Sequence, residues 1–105
     1  MDKQLVQDCM TLITCSGEGK ALATEAFNLI LSGDKYGAEA KLKEAGKSIG
    51  EAHNIQTRLI EEELNGIIIE KTILLIHAQD QFMTSVTYRD MVKLIIELYQ
   101  KVREK

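Results

Sequence analysis

Three features of the 105-residue sequence predict an all-α fold, an antiparallel up-down-up bundle of three long helices. The chain contains no proline, the residue that most disrupts a helix interior. Only two short clusters have turn chemistry: SGDKYG from Ser32 and NGIII from Asn65. Around them, apolar residues recur at helical spacing. Connections this short force consecutive helices to run antiparallel.

Gly33 suits the end of one helix and Asp34 the N-cap of the next. Asn65-Gly66 ends the second segment in the same way. Helices are therefore expected over about residues 3–31, 35–64 and 70–103, each roughly 45 Å long at about 1.5 Å per residue. In the first, Gly17 and Gly19 interrupt TCSGEGKALA. Gly19-Lys20 resembles a phosphate-binding loop, but that motif needs glycine where Thr14 stands and Ser or Thr where Ala21 stands. The small residues are read instead as a point of close helix approach, at some cost in helix propensity.

The second helix is amphipathic. Ala38, Leu42, Ala45, Ile49, Ala52, Gln56, Leu59 and Glu63 form a largely apolar stripe, while Lys41, Lys47, Glu51, Arg58 and Glu62 lie on the wet side. The third helix differs. Leu74, Leu75, Ile76, Phe82, Met83, Val86, Met91, Ile95, Ile96 and Leu98 point in nearly every direction. A helix that is apolar all round must be covered all round. Two neighbours in a bundle cannot do that, so an oligomer with the third helices innermost is expected.

Composition narrows the classes of function. One domain, 1–105, is expected from the length. Hydrophobic residues make up 45% and charged residues 28%, with a net charge of -3, the balance of an ordinary soluble protein. Its 13 basic residues are outnumbered by 16 acidic ones, which argues against nucleic acid. The longest apolar run, residues 72–78, falls far short of the roughly 20 residues a bilayer requires. The N-terminus MDKQLVQDCM has no signal-peptide apolar core, so a cytoplasmic protein is expected. Cys9 and Cys15 share a helix about 9 Å apart, too far for a disulfide. They are read as reduced, half-buried space fillers.

Chemistry concentrates in LLIHAQDQFMTS, from Leu74 to Ser85. Ile73, His77, Asp80, Gln81 and Thr84 share one strip, because offsets of three and four lie on one face. If the second turn centres near Ile67, the run AHNIQT from Ala52 lies level with HAQDQ from His77. Residues 11–19 of the first helix reach the same height, so the unusual polar residues are expected to converge on one cross-section. His77 is the candidate reactive group; His53 and Gln56 have inter-helix hydrogen bonding as their plainer role. Asp80 has two readings. It orients the imidazole and fixes its tautomer, or it points into the oligomer, where like carboxylates need a cation or shared protons. Magnesium would suit such a cluster.

AHNIQTRLIEEELNG, then LLIHAQDQFMTS, then LIIELYQK closely resemble the enzyme IIA component of the lactose/cellobiose and N,N'-diacetylchitobiose branch of the bacterial phosphotransferase system. The resemblance spans essentially the whole chain, including the early SG and the SGD turn. It implies a homotrimer of three-helix subunits. It implies that His77 accepts a phosphoryl group from the phosphohistidine of HPr and passes it to a cysteine of enzyme IIB during disaccharide uptake. It further implies that Asp80 meets its two symmetry mates around a metal, expected to be Mg2+, on the threefold axis. One departure stands out: the family usually has His-Leu where this chain has Gln81-Phe82. Gln81 keeps a hydrogen-bond donor without a titratable charge. Ile67-Ile68-Ile69 also replaces a more polar linker.

Relay chemistry suits these residues. Imidazole, with a reference pKa of about 6.5, is mostly neutral and nucleophilic near pH 7. Gln81, with His53 and Gln56, is expected to position the phosphoryl group. A strong dedicated anion clamp is not expected, since a relay must release what it binds. HAQD favours a cellobiose or chitobiose type over lactose. The rival reading is a structural or adaptor bundle whose histidine is incidental.

Overall fold

Three helices account for most of residues 1–104, the part described in the computed structural model. They are α1 (Lys3–Leu31), α2 (Lys35–Leu64) and α3 (Ile73–Arg103). Each starts where a side-chain oxygen accepts a backbone N–H otherwise left without a partner. Asp2 accepts from Leu5 at 2.7 Å, Asp34 from Gly37 at 2.8 Å, and Thr72 from Leu75 at 3.1 Å.

The two turns end their helices by one device. Gly33 and Gly66 have φ of 89° and 90°, which glycine adopts without a Cβ penalty. The next N–H reaches back to the helix, Asp34 to the Leu29 carbonyl at 2.9 Å and Ile67 to the Glu62 carbonyl at 3.0 Å. These are Schellman closures.

The third helix begins at Ile73, not near residue 70 as expected. The Thr72 hydroxyl, accepting from Leu75, caps the helix three residues further on than expected and leaves Glu70 and Lys71 in the connection. Lys71 fixes the connection by donating to the Ile69 carbonyl at 2.8 Å and pairing with Glu63.

α1 packs most extensively on α2, then on α3, while α2 and α3 touch least. The bundle measures 55 × 21 × 19 Å. Its core has two parts. Leu12, Ile49, Leu75 and Phe82 fill one, and Ala23, Ile30, Val92 and Ile96 the other. Gly19 is where α1 and α2 close up: a Cβ there would strike the Ile49 side chain and come within 3.5 Å of the Ala45 carbonyl oxygen. Gly17 has no such role, since a Cβ there meets nothing within 4 Å.

The expected stripe of α2 is buried at Ala38, Ala45, Ile49, Ala52 and Leu59, but Glu63 is exposed. Arg58, expected on the wet side, stays 40% exposed but reaches across to α1 and meets the buried Asp8 at 2.6 Å. Cys9 and Cys15 are free and buried rather than half-buried. Burial pushes both thiols above their ordinary pKa, with the neighbouring carboxylates of Asp8 and Glu51 adding to the effect.

On α3, Leu75, Ala78, Phe82, Ser85, Val92 and Ile96 face the core. The opposite side is also apolar. Ile73, Leu94 and Leu98 are 86%, 58% and 65% exposed, and Ile76, Met83 and Met91 lie on the same side.

Candidate functional site: the outer face of α3 around His77

His77 and Asp80 lie on the exposed side of α3. Neither side chain has a hydrogen bond or ion pair among the described residues, so Asp80 does not orient the imidazole within one subunit. Asp80 stands between Ile76 and Met83 in the apolar strip. Among the described residues, no three His, Cys, Asp or Glu side chains come together to hold a metal. One carboxylate is too few, so a cation at Asp80 requires copies of the chain.

The register between α2 and α3 falls within one residue of the prediction. Gln79 Nε2 donates to Gln56 Oε1 at 3.3 Å, and the His53 ring lies 6.0 Å from that of Phe82. His53 Nε2 is 3.5 Å from Thr57 Oγ1. Shared height does not bring these groups to His77, however. His77 and Gln79 are two residues apart, about 200° around the helix. A residue facing α2 therefore turns its back on the imidazole. His53 and Gln56 lie on the far flank within one subunit, and the expected single constellation splits in two.

The α1 flank holds the other half. Lys20 Nζ donates to Thr84 Oγ1 at 3.0 Å and to Gln81 Oε1 at 3.4 Å. The Thr84 hydroxyl donates in turn to the Asp80 carbonyl at 2.9 Å. One turn further along, Thr24 and Tyr88 share a hydrogen bond of 2.5 Å. α1 and α3 thus run parallel in a register set by polar contacts. That register puts Ser16, four residues before Lys20, level with Asp80, about a turn beyond His77. Among the described residues, the buried Ser16 Oγ has no hydrogen-bond partner.

Lys20 and Ser16 were missed in the sequence. Lys20 belongs to the Gly19-Lys20 pair that does not fit the phosphate-loop pattern. The usable signal was the series Ser16, Lys20, Thr24 at intervals of four, which lines one polar row along a single face of the helix.

Residues 7–100 match the family model for the lactose/cellobiose-specific IIA subunit of the phosphotransferase system. The chain belongs to this family. It is a IIA component of that system, and its chemistry is phosphoryl transfer. The IIA chain is 39% identical to the lichenan-specific phosphotransferase enzyme IIA component of Bacillus subtilis, over 99% of its own length and 94% of the relative's. A crystal structure of the cellobiose-specific enzyme IIA from Bacillus anthracis superposes with a TM-score of 0.93 at 35% identity, covering 100% of this chain and 96% of that one. The chitobiose IIA solved in complex with HPr, from Escherichia coli, gives 0.83 at 32% identity, covering 97% and 99%. No described helix of this IIA chain is long and apolar enough to cross a membrane.

Proposed function

We propose that His77 is the phosphoryl acceptor of this IIA chain, charged by HPr and discharged to a cysteine of its cognate enzyme IIB. The observation that carries this reading is the placement of His77. Its ring is exposed on the outer face of α3 and is engaged by no other described side chain. A group that must meet two visiting proteins in turn has to be reachable. The similarity to a IIA solved with HPr supports that partner.

In the first step, the unprotonated ring nitrogen of His77 attacks phosphorus in line with the donor nitrogen. The phosphorus–nitrogen bond to HPr breaks as the bond to His77 forms. The bonding electron pair returns to the donor ring, which leaves as neutral imidazole with its other N–H intact. His77 becomes the phosphoimidazolium. In the second step a cysteine thiolate attacks the same phosphorus, and His77 is released.

The working assembly is a homotrimer built along α3. Residues 73, 76, 80, 83, 87, 91, 94 and 98 lie three or four apart on one exposed line, the spacing of a coiled-coil seam. Covering this line would bring three Asp80 carboxylates together among apolar neighbours, where they cannot all remain charged without a cation. Mg2+ held by the three carboxylates would supply that charge. His77, one step off the seam, would open into the groove between subunits. The protein works in the cytoplasm, and its relatives favour a β-linked disaccharide of the lichenan, cellobiose or chitobiose kind.

Incubation with phosphoenolpyruvate, enzyme I and HPr, read by intact mass, tests the acceptor. The parent chain should gain one phosphate and His77→Ala none. No gain in the parent would leave only the adaptor reading.

A further inference from the structure

We infer that Lys20 is a positioning residue for the phosphoryl group on His77, delivered from α1 together with the Thr84 hydroxyl. The inference rests on His77 as the acceptor. A phosphoryl group there brings negative charge close to Asp80, three residues further on the same helix. Something must offset it, and the sequence leaves one candidate on this flank. From residue 73 to Tyr88, α3 carries no basic side chain, and between Lys3 and Leu31 the only basic residue of α1 is Lys20.

The geometry suits the task. Gln81 and Thr84, which hold the Lys20 ammonium, are four and seven residues beyond His77 on neighbouring rows of α3. Lysine is a compact charge on a four-carbon stem with three rotatable donors. A change of rotamer swings Nζ back from Thr84 in the direction of the imidazole, which lies about two turns, roughly 10 Å, away along α3.

The partners of Lys20 matter as much as its position. They are an amide carbonyl and a hydroxyl, and among the described residues no carboxylate pairs with it. Its charge is therefore not already neutralised by the protein, and the Thr84–Gln81 cradle parks the ammonium until an anion arrives. A single mobile lysine also releases more readily than a rigid arginine clamp, as a relay requires. Gln81 gains a definite role: its carbonyl oxygen holds Lys20, which leaves its NH2 group free for phosphoryl oxygen.

The test is the equilibrium partition of phosphate between HPr and the full-length chain, with the 31P resonance of phospho-His77 as a second readout. Lys20→Gln should lower the partition towards this chain about tenfold and move the resonance, without changing helicity or Tm. Lys20→Arg should restore most of the partition. If Lys20→Gln leaves both readouts at parental values, or if Lys20→Arg restores neither, the inference is overturned. Failure of the acceptor reading looks different: the parent takes up no phosphate, or His77→Ala still does.

Discussion

Arg58 Nη2 lies 2.6 Å from Asp8 Oδ1, tying the later half of α2 to the first turns of α1. The Asp8 side chain is only 6% exposed, and Gln4 Nε2 also donates to it at 3.0 Å. Glu62 steadies the guanidinium from 3.1 Å. Burying a carboxylate is unfavourable unless a partner comes with it, and Arg58 is that partner. Arg58→Ala leaves Asp8 with Gln4 alone and should destabilise the fold by about 2 kcal/mol. Urea unfolding measures it; an unmoved midpoint would show that water replaces the guanidinium without loss.

Glycines two residues apart on α1 should respond in opposite directions to the same substitution. Gly17→Ala adds a methyl into open space, so it should gain the helix propensity difference of about 1 kcal/mol. Gly19→Ala drives its Cβ into Ile49 where α1 and α2 are closest. Overpacking of that kind costs about 1–3 kcal/mol, enough to cancel or outweigh the propensity gain. A thermal melt of the two variants side by side should separate them by several degrees. Equal stabilisation of both would mean that Ile49 can move aside freely.

Why the fold was legible and the site only partly so comes down to what each depends on. Helix ends are local: Asp34, Gly33 and Asn65-Gly66 act within a few residues, and all stand where the sequence puts them. Height in a bundle is nearly local too, since a short turn fixes which residues are level, hence the pairing of Gln56 with Gln79. Azimuth is not. Whether Gln79 or Gln81 faces α2 depends on how all three helices share the core, and that separated His53 and Gln56 from His77. The start of α3 lies at Ile73 instead of near residue 70 because the Thr72 hydroxyl supplies the cap. Arg58 looked solvent-facing because its partner, Asp8, lies on another helix.

The seam along α3 predicts a change of assembly without a change of fold. Leu94 is 58% exposed in the single chain, so Leu94→Glu should leave the helical content intact. In the proposed trimer it would bury like charges against one another. Sedimentation should therefore give a trimer for the parent and a monomer for the variant. Asp80→Leu should act in the other direction, keeping the trimer and removing any sensitivity of its Tm to chelator. A monomeric parent would rule out the seam, and persistent chelator sensitivity in Asp80→Leu would rule out the axial cation.

The two buried thiols predict a loss of stability in alkali. Burial holds Cys9 and Cys15 above the ordinary value of 9.0 in the folded chain. Between that value and the higher folded one, the unfolded chain binds fewer protons than the folded chain. Stability is then complete below pH 9.0 and falls as the pH rises. Lysines and tyrosines titrate in the same range, so the informative quantity is the difference in slope between the parent and Cys15→Ala. The variant should decline less steeply above pH 9.0. Matching slopes would show that the thiol ionises as easily inside the protein as outside.

Ser16 supplies the sharpest test of the α1–α3 interface. Its hydroxyl is fully buried and has no partner among the described residues. An unpaired buried hydroxyl has lost its water and gained nothing in exchange. Ser16→Ala removes that group, and alanine is also the better helix former. The variant should be more stable by about 1 kcal/mol. A loss of similar size would mean that Ser16 makes a hydrogen bond in the working protein, with the Leu12 carbonyl one turn back on α1 as the acceptor within reach of a helical serine.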